Sequence, residues 1–77
     1  MIEVRFYGLI RLESGVKQLK LEASSIRELC DRLKADYPAL TDDLKNSIVL
    51  INGKRTGFRA KLQDGDVVQF LSPSAGG

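Results

Sequence analysis

The chain has 77 residues, room for one small domain with one hydrophobic core. It is 43% hydrophobic and 29% charged, and twelve Lys and Arg against ten Asp and Glu leave +2, too weak a field to imply a nucleic-acid partner. One cysteine and no histidine exclude a disulfide framework, a multi-cysteine or histidine-ligated metal site, and the serine or cysteine triads that need an imidazole base.

In chain order, Ile2-Glu3-Val4-Arg5-Phe6-Tyr7 alternates apolar and polar residues with the period of a half-buried strand. Ile2, Val4 and Phe6 then face a core, and Glu3, Arg5 and Tyr7 the opposite side. Gly8 ends the pattern, and Leu9 to Gly15 reads as a loop. Leu19 and Leu21 alternate with Gln18, Lys20 and Glu22, a second strand that the short connection pairs antiparallel with the first.

Ser25 stands three residues before Glu28, the spacing of a capping box in which each side chain satisfies the other's free amide. Ile26, Leu29, Cys30, Leu33 and Tyr37 follow as one helical stripe, with Arg27, Glu28, Asp31, Arg32 and Lys34 on the other side. Glu28 and Arg32 are spaced to pair one turn apart. Pro38 ends the helix, and Thr41-Asp42-Asp43-Leu44 suits one more short turn, with its acids at the favourable end of the dipole. Ile48 to Ile51 is a third strand, and Asn52-Gly53 a two-residue hairpin turn into a weakly specified partner within Lys54 to Phe58. Gln63-Asp64-Gly65-Asp66 is a turn whose aspartates shape the backbone and are no acid/base couple. Val67 to Leu71 is the last strand.

These elements predict an α+β domain over residues 1–71, a mixed sheet of four to five strands with one main helix packed on one face. The other face is left for water or a partner. Runs such as Ile48-Val49-Leu50-Ile51 fall far short of the roughly 20 residues that cross a bilayer, and no signal peptide pattern opens the sequence. Neither a membrane nor a nucleic acid is therefore expected as a partner. The lone cysteine suits a cytoplasmic protein.

Residues 72–77, Ser72-Pro73-Ser74-Ala75-Gly76-Gly77, cannot extend a strand or bury anything useful. They read as a flexible tail. A frayed end is the plain alternative, but two glycines without Cβ atoms let a backbone thread a narrow channel and meet a reactive phosphate closely. A terminal carboxylate becomes an acyl donor once another enzyme joins it to a leaving group such as AMP, so the chemistry needs no histidine here.

Val4-Arg5-Phe6-Tyr7-Gly8, Arg11, the Ser25-Ile26 helix start, Ile51-Asn52-Gly53, Asp64-Gly65-Asp66-Val67 and Gly76-Gly77 together resemble the MoaD/ThiS sulfur carriers. Among these the resemblance is strongest to the molybdopterin synthase small subunits. It implies a ubiquitin-like β-grasp fold with the first and last strands parallel and adjacent. It further implies that an E1-like adenylating enzyme uses ATP to activate Gly77, which becomes a thiocarboxylate. The large subunit of molybdopterin synthase would then take the tail, Ser74, Ala75, Gly76 and Gly77, and use the sulfur to build molybdopterin. The chain itself would be non-catalytic and bind no cofactor. Ser72-Pro73 stands where the family often has two prolines, and Ala75-Gly76-Gly77 lacks the third glycine of the thiazole-forming branch.

Strand parity places Val67 and Leu71 on the open face with Tyr7, an apolar docking patch beside the tail. Tyr7, Arg11, Val67, Leu71 and Pro73 are the expected partner-binding residues, with Arg11 in the loop pairing with an acid of the partner. Cys30 is expected to be an inert core thiol. The basic run Lys54, Arg55, Arg59 and Lys61 around Phe58 reads as a solvated edge or a surface that meets an acidic partner. A different sulfur acceptor, conjugation to lysines, or a plain β-grasp interaction module are the competing functions.

Overall fold

In a computed structural model, residues 1–72 are described. Five strands form one mixed sheet: β1 (Ile2–Tyr7), β2 (Gln18–Leu21), β3 (Ile48–Ile51), β4 (Lys54–Thr56) and β5 (Val67–Leu71), in the order β2-β1-β5-β3-β4. β1 and β5 run parallel at its centre, and the β1–β2, β3–β4 and β3–β5 pairs are antiparallel. This is the ubiquitin-like β-grasp, as expected.

The alternation in β1 and β5 decides which face is buried. Ile2, Val4, Phe6, Val68 and Phe70 are buried beneath α2 (Ile26–Asp36), whose Ile26, Leu29, Cys30 and Leu33 complete the core. Phe6 and Phe70 are neighbours in register, their rings tilted with centroids 5.9 Å apart. Such a contact adds about 0.5–1.5 kcal/mol to what burial contributes. Ile26 N–H donates to Ala60 O and Leu62 N–H to Ser24 O, both at 2.9 Å, so the start of α2 is pinned to the chain leading into β5.

The helix cap is present with one change. Ser25 Oγ accepts from Glu28 N–H at 3.1 Å, but the Glu28 carboxylate reaches Ser24, accepting from its N–H at 3.2 Å and its hydroxyl at 3.1 Å. Glu28 is thereby turned to the residue before the cap, not to the Ser25 amide or to Arg32. Pro38 ends the helix by opening a 3₁₀ turn, Pro38–Leu40, and a short helix over Thr41–Lys45 follows as predicted.

The loop expected between β1 and β2 is instead a helix, α1 (Leu9–Ser14), so the short helix at Thr41–Lys45 is α3. Two short helices therefore accompany the main one. Burial of Ile10, fully inside the core, outweighs the weak helical drive of six residues. At the Asn52-Gly53 turn both residues have positive φ, 51° and 85°, the geometry that twists a two-residue hairpin correctly. Asp66 is a turn former: its carboxylate accepts from Gln63 N–H at 2.8 Å and from Asn52 Nδ2 at 2.9 Å.

Candidate functional site

Because β1 and β5 are parallel, their last residues lie side by side at one edge, Tyr7 opposite Leu71. The chain leaving β5 therefore emerges beside the chain entering α1. Ser72, grouped with the tail by its composition, is tied down at this edge. Its hydroxyl accepts a hydrogen bond from Ile10 N–H at 3.0 Å, in the first turn of α1. Gly8 makes this approach possible. Its φ is +72°, and a Cβ there would stand 3.2 Å from Ser72 Cβ.

The face of the sheet away from α2 carries Tyr7, Leu71 and Val67, as strand parity predicts. Tyr7 and Leu71 are paired in register, whereas Val67 lies at the other end of β5 beside Glu3. There the Val67 amide is held by Asn52 Oδ1 at 3.0 Å. Two residues of β3, which its apolar run marks only as strand formers, belong to the same face: Ile48 stands opposite Leu71, and Leu50 opposite Gln69. Tyr7, Leu71, Ile48 and Leu50 are all half-buried, so the patch sits in the sheet surface without protruding from it.

Polar side chains frame it. Gln69 Nε2 donates to the Tyr7 hydroxyl oxygen at 3.1 Å, and Arg5 Nε donates to Glu3 Oε2 at 2.6 Å. The bond from Gln69 holds the Tyr7 phenol below its ordinary pKa, with help from Arg5 and against the opposing effect of burial. Arg11 stands on α1, not in a loop. With Arg5, Lys17 and Gln18 it lines a hollow of about 100 Å³ beside Tyr7. On α1, Leu9 and Leu12 are 48% and 76% exposed, and add apolar surface next to the edge where β5 ends. No apolar stripe marks this helix in the sequence: Ile10 is buried, while Leu12, two residues on, points to the other side.

Cys30 is 5% exposed, and burial pushes its thiol up to about 11, which keeps it protonated and inert. Pro73, Ser74, Ala75, Gly76 and Gly77 lie outside the described residues. Among the described residues no cluster of three or more His, Cys, Asp or Glu could hold a metal ion, and no helix is long and apolar enough to cross a membrane.

Among families of known proteins, the ThiS family matches residues 4–77, nearly the whole chain. The chain belongs to the ThiS family. It is a ubiquitin-like carrier of the MoaD/ThiS type. Similar solved structures include a chain in the complex of subunits 1 and 2 of molybdopterin-converting factor from Helicobacter pylori. That chain is 27% identical with a TM-score of 0.73, over 99% of this chain and 97% of that one. Small archaeal modifier protein 1 from Methanosarcina acetivorans is 26% identical, with a TM-score of 0.83 over 99% of this chain and 95% of that one. The Amycolatopsis orientalis BexX/CysO complex has a chain of the same fold, 20% identical, with a TM-score of 0.84 and full coverage of both. No curated protein sequence matches the chain.

In this carrier, then, the open sheet face and the end of β5 are contiguous. Tyr7 and Leu71 belong to that surface by strand parity alone, whereas Ile48 and Leu50 join it only through the pairing of β3 with β5.

Proposed function

We propose that this carrier delivers sulfur for molybdopterin synthesis. In this reading an E1-like adenylating enzyme joins the Gly77 carboxylate to AMP from ATP, releasing pyrophosphate. A sulfur donor then displaces AMP and leaves a thiocarboxylate on Gly77. The reacting groups come from the chain end and from other proteins, in keeping with a chain that has no histidine and a buried, protonated cysteine. The large subunit of molybdopterin synthase supplies the catalytic side chains and the pterin site, and the complex works in the cytoplasm.

The observation that carries the reading is the placement of the tail's root. Ser72 is fixed against α1 at the edge where Tyr7 and Leu71 meet. A partner that covers Tyr7, Leu71, Ile48 and Leu50 therefore receives the chain from a defined point. Desolvated aromatic and aliphatic side chains at the centre of a contact supply most of its affinity. In this reading Arg11, which lines the hollow beside Tyr7, meets an acid of the partner. Pro73 continues the chain towards Ser74, Ala75, Gly76 and Gly77, which enter the partner.

A second reading is favoured by the similarity to small archaeal modifier protein 1: the same activated end joined to lysines, or sulfur passed to another acceptor. Co-purification with the tagged carrier from its own cells separates the two. A pterin-binding large subunit supports the first. Branched peptides in which Gly77 is linked to lysine ε-amines, with no pterin-binding subunit, support the second.

A further inference from the structure

The face opposite the carrier patch holds a larger depression. A groove of about 550 Å³ runs between α2, α3 and the connection after β4. Buried Cys30 and Leu44 form its floor, and Phe58, 38% exposed, stands at its side. Around this apolar strip are four cations: Arg27 and Lys34 from α2, Lys45 from α3, and Arg59 from the connection. Among the described residues none of the four forms an ion pair. Asp31 and Asp42 also reach the groove, leaving its lining net positive. Part of the basic run around Phe58 that the carrier role leaves unexplained thus forms one wall.

We propose that this groove is a second docking site whose occupant is an acidic peptide segment of a partner protein. Its carboxylates pair with Arg27, Lys34, Lys45 and Arg59, and an aliphatic or aromatic side chain lies against Phe58. Unpaired cations around an apolar strip give such a segment both a steering field and a desolvated anchor. A nucleic-acid strand fits less well. Its uninterrupted phosphate charge would be brought against Asp31 and Asp42, while a peptide can place neutral backbone there. Because the groove lies on the helix side, its occupancy leaves the sheet face and the root of the tail free.

The test is a resonance-by-resonance titration of the isotope-labelled full chain. The probe is a short synthetic peptide of Asp and Glu flanking a central Leu-Phe pair, compared with the same peptide carrying Asn and Gln. Saturable shifts at Arg27, Lys34, Phe58 and Arg59 with the acidic peptide, absent with the neutral one, are the expected result. Raising salt to about 1 M, where the Debye length is about 3 Å, should weaken binding strongly. The exposed double variant R27E/R59E should lose about tenfold or more in affinity while keeping the sheet resonances in place. The milder R27Q/R59Q should fall between it and the parent chain. No shifts, equal shifts with the neutral peptide, or shifts confined to Tyr7, Leu71 and Ile48 would overturn the proposal. Tighter binding of a thymidine oligonucleotide to the same residues would do so too.

Discussion

The Ser72 hydroxyl accepts a hydrogen bond from the Ile10 amide across 62 positions of sequence, at 3.0 Å. It joins the residue after the last strand to the first turn of α1, and acts on that helix as a side-chain cap supplied from elsewhere in the chain. Gly8, the residue at the usual cap position, has no side chain to do this. Replacing Ser72 with Ala should therefore cost about 0.5–2 kcal/mol, the range for losing a helix cap. Denaturant unfolding reads the loss, and faster hydrogen exchange at the Ile10 amide localises it. In the carrier role the variant should also pass sulfur more slowly at unchanged loading, because the tail no longer starts from a fixed point.

The same contact makes Gly8→Ala damaging. The new Cβ would meet Ser72 at 3.2 Å, at a φ of +72° that L-residues rarely adopt. A loss of about 1 kcal/mol or more is expected from the backbone alone. Thermal unfolding of G8A beside S72A measures it. The double variant should lose less than the sum, since a Cβ at position 8 that pushes Ser72 aside already disturbs the bond to Ile10 that S72A removes.

Leu71→Ala and Ile48→Ala test the open face. Both side chains are half-buried on the surface away from α2, and they oppose each other in register. If the proposed pairing with a molybdopterin synthase large subunit holds, each should weaken that binding by about tenfold, near 1.4 kcal/mol, while the fold persists. Calorimetric titration measures the affinity, and unchanged circular dichroism excludes unfolding as the cause.

Glu13 on α1 and Asp43 on α3 should give the fold a small pH dependence. Asp43 pushes the Glu13 carboxyl above its ordinary value, through the bond that a protonated Glu13 could donate to it and through its negative charge. Asp43 Oδ2 is buried with no hydrogen-bond partner among the described residues. Two ionised carboxylates have no proton between them to donate; protonating Glu13 supplies one. For an acid with a raised pKa, the stabilisation is complete below the ordinary glutamate range and lost as pH rises through the raised value. Glu13→Gln carries a donor at every pH. It should unfold at a higher temperature than the parent at neutral pH, with the gap closing as the solution is acidified below the ordinary glutamate value.

Cys30→Ala should cost about 1 kcal/mol, in line with removing one methylene-sized group from a core. Sulfur loading should be unaffected, since the thiol is buried and held protonated up to about 11. A folded C30A chain that fails to load would show that the thiol takes part.

How much of this was legible in the sequence depends on how local each signal is. The alternation of Ile2, Val4 and Phe6, the stripe from Ile26 to Leu33 and the Asn52-Gly53 turn are carried by neighbouring residues, and the strands and main helix stand where those patterns put them. Helix α1 is not of this kind. Six residues are too few for periodicity to distinguish a helix from a loop, and its supports are burial of Ile10 and a bond from Ser72. Glu28 chose Ser24 over the Ser25 amide by a shift of one residue that spacing alone does not resolve. The candidate site divides in the same way. Tyr7 and Leu71 follow from parity within their own strands, but Ile48 and Leu50 join them through the register of β3 on β5, set by contacts about twenty residues apart.

The central claim concerns Gly77, and the mass of the intact carrier from its own cells tests it most directly. A fraction of the chains should show one oxygen replaced by sulfur, localised by fragmentation to Gly77. The modification should disappear when the adenylating enzyme is inactivated. Chains that carry only the ordinary carboxylate while that enzyme is active, or full molybdopterin production after deletion of Gly76 and Gly77, would contradict the account.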